Sequence, residues 1–362
     1  MPISAVDTIT LAFQHTKRQL FQPFRFWQWA RLALVGLLAG EAGSGGGFNF
    51  PTNWNVPQQG GSSRHLLAQG LPKIDPAILA TLIAVLIITA FIFAILFMYI
   101  SSVMRFILFD SVLARECHIR DGWARRLGTG WKYFLWQLGF AIVMIGGMVI
   151  LIGIPAAFAF GMGWLKSPRE HVPALVLEGI VVFFLFVAFF VTAAVVHVLT
   201  KDFVVPQMAL DGITAVEGWR RLWPLMQMEK SGYAIYVGMK IVLAIGAGIV
   251  IGIASLIIGL IVAIPTVGLA VVAALTGKSA GLEWNVFTIT VAVVVGCILF
   301  AALLCLISLI SVPAIVFFPA YSIYFFAPRY RALSLALYPP PAPAASLPPP
   351  EPPPFTPTSA PM

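Results

Sequence analysis

The stretch "AILATLIAVLIITAFIFAILFMYISS", Ala77 to Ser102, carries no charged side chain. An α-helix of about 20 apolar residues crosses the hydrocarbon of a bilayer. This stretch exceeds that length, and so does the equally uncharged run from Leu135 to Leu165. The surrounding composition agrees: of 362 residues, 60% are hydrophobic and 10% charged. A water-facing domain carries about a quarter charged residues. The chain therefore reads as an all-α integral membrane protein.

Six transmembrane helices are expected, at about 24–42, 76–104, 135–160, 174–200, 234–265 and 286–311. The first is the weakest, because Arg31 precedes its short apolar centre "LALVGLLAG". A signal peptide ending near Ala42 is the alternative there, although such leaders are usually shorter. After the sixth span, "VPAIVFFPAYSIYFFAP" is interrupted by Pro313, Pro319 and Pro328. It reads as an interfacial or re-entrant segment. The membrane domain is expected over residues 1–333. A proline-rich tail over 334–362 should be disordered with polyproline II character, either simply solvated or a ligand for a proline-binding domain.

The net charge of +8 points to orientation rather than to nucleic acid. Sixteen Lys and Arg residues fall in the amino-terminal segment, the loops after spans two and four, and the carboxyl end; five fall in the opposite loops. Positive charge accumulates on the cytoplasmic side, so both termini are expected there.

The basic loops repeat one another. "IRDGWARRLGTGW" (Ile119–Trp131) and "AVEGWRRLW" (Ala215–Trp223) each carry an acid, a glycine, a tryptophan and paired arginines. Trp123 and Trp219 lie 96 residues apart, Phe106 and Phe203 97, and Gly139 and Gly238 99. An internal duplication of a helical hairpin follows, covering 76–160 and 174–265 in parallel orientation. A third copy is expected to be split between the ends. "SVPAIVFF" after span six resembles "FVVPQMAL" after span four, and "AVDTITLAFQ" near the start resembles "AVEGWRRLWP". Three hairpins about a pseudo-threefold axis would require spans one and six to be neighbours.

Each repeated phrase suits a helix at the cytoplasmic interface. Asp121 with Arg125, and Glu217 with Arg221, are spaced four apart with the acid first, the better order for pairing. Thr214 and Glu217 have capping-box spacing. Ile213, Val216, Trp219 and Trp223 form an apolar stripe. Such a helix would lie flat, with Trp123 and Trp219 at headgroup depth and Arg125, Arg126, Arg220 and Arg221 toward anionic headgroups. Docking of a cytoplasmic or membrane protein partner, or of a specific lipid, on the same face is the alternative.

The segment "DFVVPQMALDGITAVEGWRRLWPLMQMEKSGYAIYVGMKIVL" resembles a group of bacterial integral membrane proteins similar to the membrane domain beside some glycerophosphoryl diester phosphodiesterases. The matching residues are Val205, Pro206, Asp211, Gly212, Arg220 and Arg221; the first copy lacks the proline and has Leu108 and Phe109 nearby. The resemblance implies hairpin architecture and a bacterial cytoplasmic (inner) membrane. It implies no phosphodiesterase activity.

No catalytic constellation stands out. His15, His65, His118, His171 and His197 show no metal-ligand spacing, and the cysteines form no framework. There is no nucleophile elbow and no phosphate loop; "GSGGGFNFP" from Gly43 reads as a flexible loop. No cofactor is expected. Three charged or polar residues border the spans: Glu178 at an outer end, His197 and Lys240 at inner ends. Lys240 is expected to snorkel. Glu178 is expected at the interface, or else in an outward-facing polar site. Glycines and small residues recurring every four or seven positions, as in Ala244, Gly248 and Gly252 or Gly139, Gly146 and Gly153, predict close helix packing, or hinges with Pro155 and Pro265. The expected role is a non-enzymatic scaffold or accessory subunit, with a transporter or lipid-handling protein as the alternative.

Overall fold

The computed structural model describes residues 4–41, 76–164, 167, 169–279 and 286–339. The glycine-rich run from Gly43, His65 and the tail beyond residue 339 lie outside the described residues. Among those described, all regular structure is helical. Two short helices come first, α1 (Asp7–Phe21) and α2 (Phe26–Leu38). A long pair follows, α3 (Pro76–Ala114) and α4 (Ile119–Gly161). Then α5 (Val172–Leu199) runs through a π-helical turn (Thr200–Val204) into α6 (Val205–Asp211). The chain continues through α7 (Ala215–Met228), α8 (Lys230–Ser279), α9 (Val286–Phe326) and α10 (Arg331–Leu337).

Five of these helices are long and apolar enough to cross a membrane. The first expected span is the exception. α2 has 13 residues, which at about 1.5 Å each falls well short of a bilayer's hydrocarbon. It packs on α9 instead. Ser308 Oγ donates to the Ala33 carbonyl at 2.8 Å, and Gly36 lies under Ile315. Spans one and six of the sequence reading are thus neighbours.

The segment after the sixth span is no re-entrant loop. α9 runs unbroken through Pro313 and Pro319 and gives way at Ala327–Arg329, around Pro328. A proline inside a helix frees the carbonyl four residues back. For Pro313 that carbonyl belongs to Leu309, and it accepts from Trp29 Nε1 at 2.9 Å. A side chain 280 positions away thus supplies the missing donor at Pro313. The π-helical turn has the corresponding cause: Pro206 crowds the Asp202 carbonyl, so the turn widens there. α10 also takes in residues 334–337, assigned above to the tail, and buries Leu333.

Burial divides the molecule into two zones. The inner ends of α3, α5–α6 and α9 form a packed base with α1, α2, α7 and the starts of α4 and α8, centred on Phe106, Phe203, Tyr236, Tyr321 and Phe325. Tyr236 stacks on Tyr321 at 5.0 Å between ring centroids. Beyond the base, the spans leave most of their apolar surface uncovered. The expected close packing through small residues is not found there: a Cβ on Gly139, Gly146, Gly153, Gly246, Gly252 or Gly259 would meet nothing within 4 Å. Small residues permit close approach; they do not compel it. Gly147, beneath Phe189, is a contact that does form.

Candidate functional site, a buried charged cluster in the base

Five chain segments bring charged groups and hydroxyls into the base. The end of α2 delivers Glu41 and the Ala39 carbonyl, α3 delivers Arg105, and the π-helical turn delivers Lys201 and Asp202. Tyr133 comes from α4, and Tyr236 and Lys240 from α8. Arg105, Asp202, Glu41 and Lys240 are all buried.

The contacts are specific. Lys201 pairs with Glu41, and Lys240 pairs with Asp202. Asp202 also accepts from the Tyr236 hydroxyl at 3.0 Å. Arg105 donates to the Tyr133 hydroxyl at 2.9 Å and to the Ala39 carbonyl at 3.0 Å. Glu41 and Asp202 both attract Arg105, while Lys201 and Lys240 repel each other, so the two pairs and Arg105 share one charged environment. Low local dielectric strengthens such contacts, and makes any partner left alone costly. The cluster therefore locks five chain segments in register.

Lys240 does not snorkel. Its ammonium turns inward because Asp202 offers a buried counter-charge one helix away. His197 stays exposed one turn before Lys201. Glu178 stands alone on α5, half-buried, with Oε1 lacking a hydrogen-bond partner. It does not join His197 and Lys240 in one site.

The residues of the two Trp-containing phrases, each at the elbow between one long helix and the next, divide between structure and surface. Thr214 Oγ1 accepts from the Glu217 amide at 3.4 Å, in the manner of a helix cap, and Glu217 pairs with Arg221 at 3.3 Å. Arg221 also meets Asp211 at 2.7 Å. Asp121 and Arg125 make a different contact from the one expected: Arg125 donates to the Asp121 main-chain carbonyl at 3.3 Å. Arg126 is turned inward, forking onto Asp110 at 2.6 and 2.7 Å and reaching the Ala209 carbonyl at 2.6 Å. Trp123 and Trp219 pack against the core, with Trp219 Nε1 donating to Thr200 Oγ1 at 3.0 Å. The apolar stripe is accordingly split. Val216 and Trp223 face outward, as does Trp131, while Arg220 pairs loosely with Glu217 at 3.6 Å.

A ring of side-chain contacts joins the elbows around the base. Lys132 donates to the Gly212 carbonyl and Arg126 to that of Ala209. Gln28 donates to the Arg115 carbonyl, and His15 Nε2 to that of Val112 at 3.0 Å. Because that carbonyl accepts, Nδ1 of His15 is the acceptor for the Tyr324 hydroxyl at 3.1 Å. Burial, with Arg115 nearby, keeps the imidazole below its usual pKa. Glu229 and Arg329 close the ring with two bonds of 2.7 Å, which hold the Glu229 carboxyl below the usual carboxylate range.

Arg105, Lys201, Asp202 and Glu41 were missed from sequence as site residues. A signal was present in the sequence: Arg105 and Asp202 immediately precede Phe106 and Phe203, which the expected duplication aligns, and they carry opposite charges. Among the described residues, no group of three His, Cys, Asp or Glu side chains is placed to hold a metal ion.

Among the described residues the chain is all-helical, and its five membrane-length helices gathered on a packed base are compatible with a multi-pass membrane protein. The chain belongs to DUF7544, a family of unknown function whose profile matches residues 3–336. Comparison with curated proteins and with solved structures yields no match, and nothing ties the chain to the glycerophosphoryl diester phosphodiesterases.

Proposed function

We propose that the chain is a non-enzymatic scaffold or accessory subunit of a bacterial cytoplasmic membrane, with both termini on the cytoplasmic side. One observation carries this reading: the base is packed and internally paired, whereas the spans beyond it leave their apolar faces uncovered. Apolar helix faces in a bilayer are met by lipid or by other transmembrane helices. The base gathers the Lys- and Arg-rich segments, which the positive-inside rule assigns to the cytoplasm. Exposed Trp27, Trp131 and Trp223, with Arg125 and Arg220, suit contact with an anionic membrane surface or a partner there.

The base is read as three hairpins in a ring. Arg115 and Gly212, 97 residues apart, both take left-handed backbone conformations, and both carbonyls are capped from a neighbouring elbow. Val112 and Ala209, also 97 apart, accept in the same way. Gly122 packs on Ile107 and Gly218 on Val204, again one repeat apart. Ser4 caps the Asp7 amide as Thr214 caps that of Glu217, which supports α1 and α2 completing the third hairpin with α9.

Gentle purification from native membranes, followed by mass spectrometry, tests the role. A stoichiometric membrane protein partner, lost when Arg125 and Arg220 are reversed to glutamate, is the expected result. A chain that purifies alone and carries a defined small molecule would overturn it. A lipid-handling role is the second reading, favoured by the buried charged cluster.

A further inference from the structure

The charges in the base do not cancel. Among the described residues, Arg105, Lys201 and Lys240 face Glu41 and Asp202, an excess of one cation. Each carboxylate already holds a lysine. Arg105 holds only neutral oxygens, those of Tyr133 and Ala39, and its Nε has no acceptor. That side chain is in a residue only 7% exposed. A guanidinium keeps its charge at any physiological pH, and a buried one with no anion in contact is unfavourable.

The position of the cluster indicates the counter-anion. Lys240 is buried, yet Ile241 beside it is 55% exposed. On α3 the outward apolar run reaches Phe97, two turns before Arg105. The cluster thus lies where the open spans give way to the base. A phospholipid with its acyl chains along those spans carries its phosphate near this depth. The Lys201 and Lys240 side chains are 10% and 11% exposed, and exposed His197 stands one turn before Lys201, so this side of the cluster lies nearest the surface. A guanidinium fork matches the oxygens of a phosphate.

We infer that Arg105, Lys201 and Lys240 form a binding site for a phosphate-class anion, supplied by an anionic phospholipid or as free phosphate. The site goes beyond the scaffold reading and stands whether or not a protein partner exists.

The test uses the full chain purified in mild detergent, with phosphatidylglycerol, phosphatidylcholine and inorganic phosphate as probes. Native mass spectrometry is expected to find about one phosphatidylglycerol retained per chain, and that lipid should raise the melting temperature more than phosphatidylcholine does. Arg105→Lys keeps the charge and loses the fork, and should weaken retention at least about tenfold. If no lipid is retained but millimolar phosphate stabilises the wild type and not Arg105→Lys, the site takes the free anion. Should Arg105→Lys fail to fold, the double variant Glu41→Gln with Lys201→Gln removes one charge of each sign and is expected to lose binding equally. A wild type that retains no phospholipid and is stabilised by neither phosphatidylglycerol nor phosphate overturns the site. So does equal binding by wild type and a folded variant.

Discussion

Replacing Asp202 with alanine is expected to destabilise the protein by about 3–5 kcal/mol, the usual cost of removing one partner of a buried ion pair. Asp202 is 3% exposed and serves two donors, the Lys240 ammonium and the Tyr236 hydroxyl. Without it, Lys240 is left charged in the base with no partner of its own. Lys240→Gln in the same chain should recover part of the loss, because the orphaned charge is then gone. Asp202→Asn should be milder than alanine, since its carbonyl still accepts from Tyr236. Denaturation in mixed micelles measures all three. An Asp202→Ala loss below about 1 kcal/mol, the range of exposed pairs, would mean that the contact is solvated.

The second large effect is a contrast between glycines that look alike in sequence. Gly130 and Gly146 both lie in α4. A Cβ on Gly130 would sit 2.5 Å from Val103 Cγ2 and 3.1 Å from the Val103 Cα, so a rigid helix must move. A Cβ on Gly146 would meet nothing within 4 Å. Alanine favours a helix over glycine by about 0.5–1 kcal/mol, while overpacking costs about 1–3 kcal/mol. Gly146→Ala is therefore expected to stabilise slightly and Gly130→Ala to destabilise, a difference of about 2 kcal/mol between the sites. Equal melting temperatures for the two variants would place Gly130 outside the packed base.

The five long spans were legible because the bilayer requirement is local: a long uncharged run is sufficient; the first expected span, with Arg31 beside a short apolar centre, was not one of them. What lay beyond them was not legible, because it depends on distant partners. Pro313 reads as a break until Trp29 is known to supply the donor for Leu309. Lys240 reads as a snorkelling cation until α5 and its π-helical turn place Asp202 against it. Arg126 reads as a headgroup contact until Asp110 and Ala209 are seen to take its donors. Arg105 and Lys201 read as loop charges because the expected spans end at about 104 and 200, whereas the helices continue past both. The elbow cap at Thr214 was legible, since capping is decided within four residues.

The first two helices close the base against the last long one, α1 and α2 resting on α9. A Cβ built on Gly36 lies 2.5 Å from Ile315 Cγ2. Cysteines at both positions should therefore fall within the roughly 3.5–4.5 Å β-carbon separation a disulfide needs. The measurement is made with Gly36→Cys and Ile315→Cys, the native Cys117, Cys297 and Cys305 replaced by serine, and a protease site inserted between residues 42 and 75. Mild oxidation in native membranes, then cleavage, should leave the amino-terminal fragment attached on a non-reducing gel and released by reductant. A fragment that separates without reductant would show that α2 does not rest on α9, and the closed base would be wrong.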